Sequence, residues 1–203
     1  MKFPQGLSHL EAGSRQASSR LGADSMGDNL DAQIGTESIQ LGNMETQMAE
    51  QRQVSFSNLE QALQDAESLL AKGYTSAGDW NLSQCCLHLN DWLSFPMDGF
   101  PKAPLPMRII MGVMKVTVGK RQLSQILDEG FKPGLPTQPD TVYEPDARSD
   151  ADAVATLRAT VDRFEKHSGA IHSSPFFGDM DKPTVMGLQI RHFEHHLSFL
   201  LPK

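Results

Sequence analysis

The residues best suited to chemistry in this chain are His192-Phe193-Glu194-His195-His196 near its end and a lone His88 far upstream. Residues four apart on an α-helix project from one face about a turn apart, so His192 and His196 can offer two imidazoles to one metal ion. A third ligand from a facing helix gives the three-protein-ligand arrangement that leaves a coordination position open to water or substrate. His88 is the candidate for that third ligand. Neutral imidazoles suit Zn²⁺, Ni²⁺ and Fe²⁺ alike; zinc is the first expectation on general grounds, with nickel and iron next. The pattern is not that of a metalloprotease helix, in which the glutamate follows the first histidine directly. Glu194 lies two residues on and about 200 degrees round the helix from His192, which turns it away from the site.

Other side chains near these positions have two readings each. Asp91 and Gln84 lie one turn either side of His88 and are the candidate catalytic residues, able to orient its imidazole or to act as a base, although an aspartate on a helix rim is usually solvated. His195 falls towards the polar edge of its helix and suits the rim of the site. Cys85 precedes His88 by about one turn and is either a fourth ligand or a packed thiol; Cys86 reads as core. His167 and His172 flank a Gly-Ala turn and either line the mouth of the site or face solvent. Met107, Met111 and Met114 recur at helical intervals and read as packing, with Arg108 and Lys115 facing water.

The elements that must carry these residues are helical. Ser57 with Glu60 forms a capping-box signature before Leu59, Ala62, Leu63, Ala66, Leu69 and Leu70, and Gly73 can close that helix. Asn81 and Gln84 repeat the cap logic for a second helix carrying His88, ended by Pro96 and Gly99. A third helical region is predicted from about Pro106 to Val118, with a shorter one from Lys120 to Glu129. Gly130 to Arg148 is dense in Pro and Gly and long enough to cross the end of a bundle. Ser149 and Asp152 open a helix running towards Gly169, and the last helix starts after Asp181 or Pro183 and runs to about Leu200. No period-two run appears. Residues 1–52 are rich in small and polar types without sustained period and read as a disordered tail, with a short helix around Asn43 to Arg52 the exception. Residues 53–203 form the folded domain, an all-α four-helix bundle.

Composition narrows the function classes. The chain has 203 residues and a formal charge of −7, with no block of Lys and Arg suited to neutralising phosphates, so nucleic acid is not an expected partner. The most apolar stretch, Leu105 to Val118, is interrupted by Arg108 and Lys115 and is too short to cross a bilayer. The N-terminus lacks the apolar run of a secretory signal. The two cysteines are neighbours, which excludes a disulfide framework and makes the reducing cytoplasm the expected compartment.

His192-x-x-His195-His196-Leu197, preceded by Trp80-x-x-x-Gln84-x-x-x-His88-Leu89 and by Asp98-Gly99-Phe100-Pro101, resembles the DinB-like superfamily of metalloenzymes, and within it an uncharacterised branch carrying a domain of unknown function. Ser173-Ser174-Pro175-Phe176-Phe177-Gly178 is similar to that branch's lead-in to the last helix. The resemblance covers roughly Val54 to Leu200. It implies a four-helix bundle whose metal ligands are His88, His192 and His196 in an open site. Characterised members of the wider superfamily include thiol-dependent transferases and isomerases. The implied activity is therefore small-molecule chemistry, with transfer involving a low-molecular-weight thiol ahead of metal-assisted hydrolysis. The contrasting expectation is a noncatalytic helical module, able to form a homodimer, whose histidines are structural and which engages a protein partner. Convergence of the three imidazoles separates the two.

Overall fold

The computed structural model describes residues 51–102, 105–132 and 137–203. The expected tail of residues 1–52, with its short helix, falls outside them apart from Gln51 and Arg52. The Arg52 backbone N–H donates to the Ser198 carbonyl at 3.0 Å, and its guanidinium donates to the Leu197 carbonyl and grips the Asp65 carboxylate.

Four helices form the bundle: α1 (Leu59–Lys72), α2 (Leu82–Asp98), α5 (Asp150–Lys166) and α6 (Lys182–Leu197). Between α2 and α5 a further rod runs end to end from α3 (Leu105–Met114) through one π-helical stretch, Lys115–Gly119, into α4 (Lys120–Glu129). Each bundle helix starts where a polar side chain accepts an otherwise unpaired first-turn N–H. Asn81 accepts from Gln84 while the Gln84 side chain accepts from the Asn81 N–H, a reciprocal box; Ser149 and Asp181 cap α5 and α6. At α1 the cap lies one residue later than the sequence suggests. Asn58 accepts from Gln61 N–H, and Gln61, not Glu60, reaches back to the Ser57 N–H. Gly73 closes α1 at φ 81°, a left-handed value that an L side chain resists.

The apolar stripes meet in one core. It comprises Leu59, Leu63 and Leu69 of α1, Leu82, Leu89 and Leu93 of α2, Leu157, Val161 and Phe164 of α5, and Val185, Phe193 and Leu197 of α6. Among the described side chains, none of the α3–α4 rod belongs to it: Met111 and Ile126 are buried apart, and Met114 is exposed rather than packed. Lys115 also departs from expectation, since it is half-buried with Nζ donating to Ser173 Oγ at 3.0 Å.

Two short strands were not foreseen. β1 (Tyr74–Ser76) pairs antiparallel with β2 (Leu200–Pro202), in register Tyr74 with Pro202, Thr75 with Leu201 and Ser76 with Leu200. They tie the C-terminal end of α6 to the α1–α2 connection. The connection after α4 contains a 3-10 turn, Pro139–Thr141, whose Thr141 is buried. Among the described residues no helix is long and apolar enough to cross a membrane.

Candidate metal centre

His88 lies midway along α2, and His192 and His196 face it from successive turns of α6. Their positions follow from helix registers set by the Asn81 and Asp181 caps and by the apolar stripes that rotate both helices onto the core. His88 and His192 are buried and His196 is half-buried. The His192 Nε2 atom stands 3.1 Å from His88 Nε2 and 3.1 Å from His196 Nε2. One ligand atom from each of the three lies within 4.8 Å of the others. For nitrogens about 2.0–2.1 Å from a shared ion, a separation of 3.1 Å subtends roughly 100° at that ion, between the octahedral and tetrahedral angles.

Hydrogen bonding alone does not satisfy this geometry. His88 Nδ1 lies 3.0 Å from the buried Thr141 carbonyl, which has only lone pairs to offer, so the Nδ1–H donates and the neutral ring presents a bare lone pair at Nε2. His192 Nε2 is then the centre of two short contacts. If it carries a proton it can donate to His88 but cannot accept from His196; if it is bare, it accepts from His196 but opposes the His88 lone pair. A cation among the three nitrogens removes the conflict, and the donor set fits one.

Electrostatics keep the rings neutral. Burial lowers the His88 pKa to about 4, against partial support from the Thr141 carbonyl, and drives His192 and His196 well below the ordinary imidazole range, with the neighbouring imidazoles adding to the effect. Neutral imidazole is the metal-binding form.

A second set of contacts holds His88 in place. Gln84 and Asp91 flank it on the same side of α2, and all three reach the 138–143 segment. Gln84 Nε2 donates to the Tyr143 carbonyl at 2.7 Å, the Tyr143 hydroxyl donates to Asp91 Oδ2 at 2.6 Å, and Thr141 receives His88 between them. Gln84 is thus a cap and a tether rather than a group facing the nitrogens. Asp91 pins the segment whose carbonyl orients His88, so its action on that ring is indirect. Burial, with the hydrogen bond to Asp91 adding to it, raises the Tyr143 pKa to about 12.

Aromatic rings wall the cluster. Trp80 stacks on His196 with centroids 5.2 Å apart and planes 6° from parallel, and meets His88 edge-on at 5.0 Å. Trp92 stands against His88 and His192, and Phe131 covers His192 at 5.1 Å. His195 lies at the rim, 6.0 Å from Phe131 and 5.0 Å from His196. It borders a groove of about 340 Å³ shared with Arg52, Glu129, Phe131, Arg191 and Glu194.

The remaining candidates lie elsewhere. Glu194 accepts from Phe56 N–H and Arg191, turned from the cluster as its helix angle requires. Cys85 is fully packed, its thiol pushed up to about 12 chiefly by burial, and Cys86 is buried with its thiol likewise pushed well up by burial; neither joins the nitrogens. His167 caps the end of α5 and faces the Ala170 carbonyl, while exposed His172 lies beside Gly99, so neither lines the site. Thr141 and Phe131 contribute to the site without any sequence signal. Both sit in the aperiodic connection after α4, and Thr141 acts through its backbone, which any residue type supplies.

The fold and the site together define a helical bundle with a buried, converging three-histidine cluster. The family model for a protein of unknown function, DUF1569, matches residues 48–203, and the chain belongs to that family. No curated protein and no solved structure is matched by the chain.

Proposed function

We propose that this protein is a metalloenzyme acting on a small molecule, with a divalent transition metal held by His88, His192 and His196 and one or more coordination positions left to a reactant. The observation that carries the reading is the pair of 3.1 Å contacts at His192 Nε2, which three neutral imidazoles cannot satisfy with protons. A bound metal supplies a Lewis acid and a site at which a thiolate or carbonyl oxygen is activated. Zinc is the first choice, with nickel and iron next, because three imidazoles accept each of them.

The chain's own residues do the rest. Thr141 fixes the His88 tautomer, while Trp80, Trp92 and Phe131 exclude water from the flanks of the cluster. His196 is half-buried, and the groove lies beside the cluster, separated from its three rings by His195 and Phe131. The resemblance to the DinB-like superfamily supports a thiol-dependent transferase using a low-molecular-weight thiol as the leading reaction class, with metal-assisted hydrolysis second. The groove's mixture of guanidinium, carboxylate and imidazole groups suits a small polar substrate.

Elemental analysis of protein purified without a histidine tag tests the metal. The expected result is about one transition-metal ion per chain in wild type, retained through dialysis and lost in His192→Ala. Metal absent from the wild type, even after incubation with zinc, nickel or iron salts, sinks the reading and leaves a structural histidine cluster.

A further inference from the structure

Among the described residues, nine large hydrophobic side chains are exposed, and seven of them fall between Leu105 and Val118 on α3 and the π-helical stretch that follows. At about 100° per residue, Leu105, Ile109, Ile110, Val113 and Met114 occupy one half of the α3 circumference, and buried Met111 points the opposite way. That half carries no charge. Leu105, Ile109 and Val116 are 67%, 63% and 81% exposed, values usual for lysine rather than for leucine, isoleucine or valine. Gly112, beside Leu105 on the same helix, has open space where a Cβ would stand. Glycine weakens a helix interior, and among the described residues no neighbour requires it there.

We propose that this face of α3 is the interface between two copies of the chain, related by a two-fold axis with one α3 packed against the other. The exposed fractions of the seven side chains amount to about four whole aliphatic side chains, each roughly 100 Å² of apolar surface. A symmetric pair thus covers roughly 800 Å² of apolar area from these residues alone, and flanking polar groups carry it towards the about 1,200 Å² of a small stable interface. An uncharged face buries no like charges when it meets itself, and a two-fold contact needs only one patch. A lipid surface fits less well: α3 has no aromatic side chain and a single cation, Arg108, and the chain's net charge of −7 opposes an anionic bilayer.

The interface also bears on the metal centre. Immediately after α3, Lys115 bonds Ser173, and Gly119 packs against the Phe176 carbonyl of the loop that leads into α6. The same loop places Phe176 against Trp92.

Light scattering on the full chain, across a concentration series, is the test. Wild type is expected at twice the 22.4 kDa of one chain. Ile109→Glu and Val113→Glu are expected to weaken dimerisation by at least about thirtyfold, with helical circular dichroism unchanged. Both residues are exposed in the single chain, so their replacement leaves its fold intact, and Ile110→Glu provides a third variant. Val142→Glu, exposed in the connection after α4 rather than on the α3 face, is expected to leave the mass unchanged. A wild type of single-chain mass throughout overturns the proposal, as does a dimer that survives all three glutamates. A single chain that sediments with phosphatidylglycerol vesicles overturns it in favour of a lipid surface.

Discussion

His192 holds the central position in the cluster because its Nε2 meets both other imidazoles, so on the proposed reading its replacement should abolish metal binding rather than merely weaken it. Protons compete for the same lone pairs. With the unfolded imidazole near 6.5 and folded His88 near 4, the unfolded chain binds more protons between those values. The contribution of the buried imidazoles to stability is therefore complete above about pH 6.5 and is lost as pH falls towards 4, with His192 and His196 shifted in the same direction. Metal-free protein should show a falling urea midpoint across that window, and His88→Gln, which removes one of these imidazoles, should flatten the dependence. At neutral pH, zinc present at about 1,000 times its dissociation constant should raise unfolding free energy by roughly 4 kcal/mol, a gain that a chelator reverses.

Elements deliver these side chains, and two junctions between elements are exposed to single substitutions. The first is the 138–143 segment, held to α2 by Gln84 and Asp91. Tyr143→Phe deletes the hydroxyl that meets Asp91 and should lower metal affinity by about tenfold, measured by competition with a chromophoric chelator, while the circular dichroism spectrum is retained. The second junction is Gly119, at the end of the π-helical stretch, where a Cβ would lie 2.4 Å from the Phe176 carbonyl oxygen. Both groups are backbone-fixed, so relief needs movement of the rod or of the 173–178 loop. Gly119→Ala should destabilise by about 1–3 kcal/mol in denaturant unfolding, and should change the environment of Trp92 fluorescence through Phe176.

At the scale of the whole molecule, the bundle core and the α3–α4 rod are distinct. Leu157 is fully buried where α5 packs into the core, and Leu157→Ala should cost about 2–5 kcal/mol by equilibrium unfolding. Large apolar-to-polar changes on the α3 face should leave single-chain stability nearly untouched and act on association instead. The contrast follows from where the apolar surface lies: covered by the chain itself in the bundle, and exposed on the α3 face that we propose a second copy covers.

Much of this architecture was legible in the chain because it is encoded locally. The Asn81–Gln84, Ser149 and Asp181 caps, the apolar stripes and the four-residue spacing of His192 and His196 depend on neighbours within a turn or two, so the sequence alone determined the bundle helices and two of the three histidines of the cluster. The Asn58 cap shifted by one residue because Asn58 and Gln61 compete for the same roles as Ser57 and Glu60. Strands three residues long carry too little alternation to be read, and β1 and β2 are paired across most of the domain. Whether His88 would meet the other two rings depended on the rotation of α2 against α6, and the use of Thr141, Phe131 and Trp80 depended on how the connections return over the cluster. Those outcomes come from packing between distant segments, and only the tertiary structure decided them.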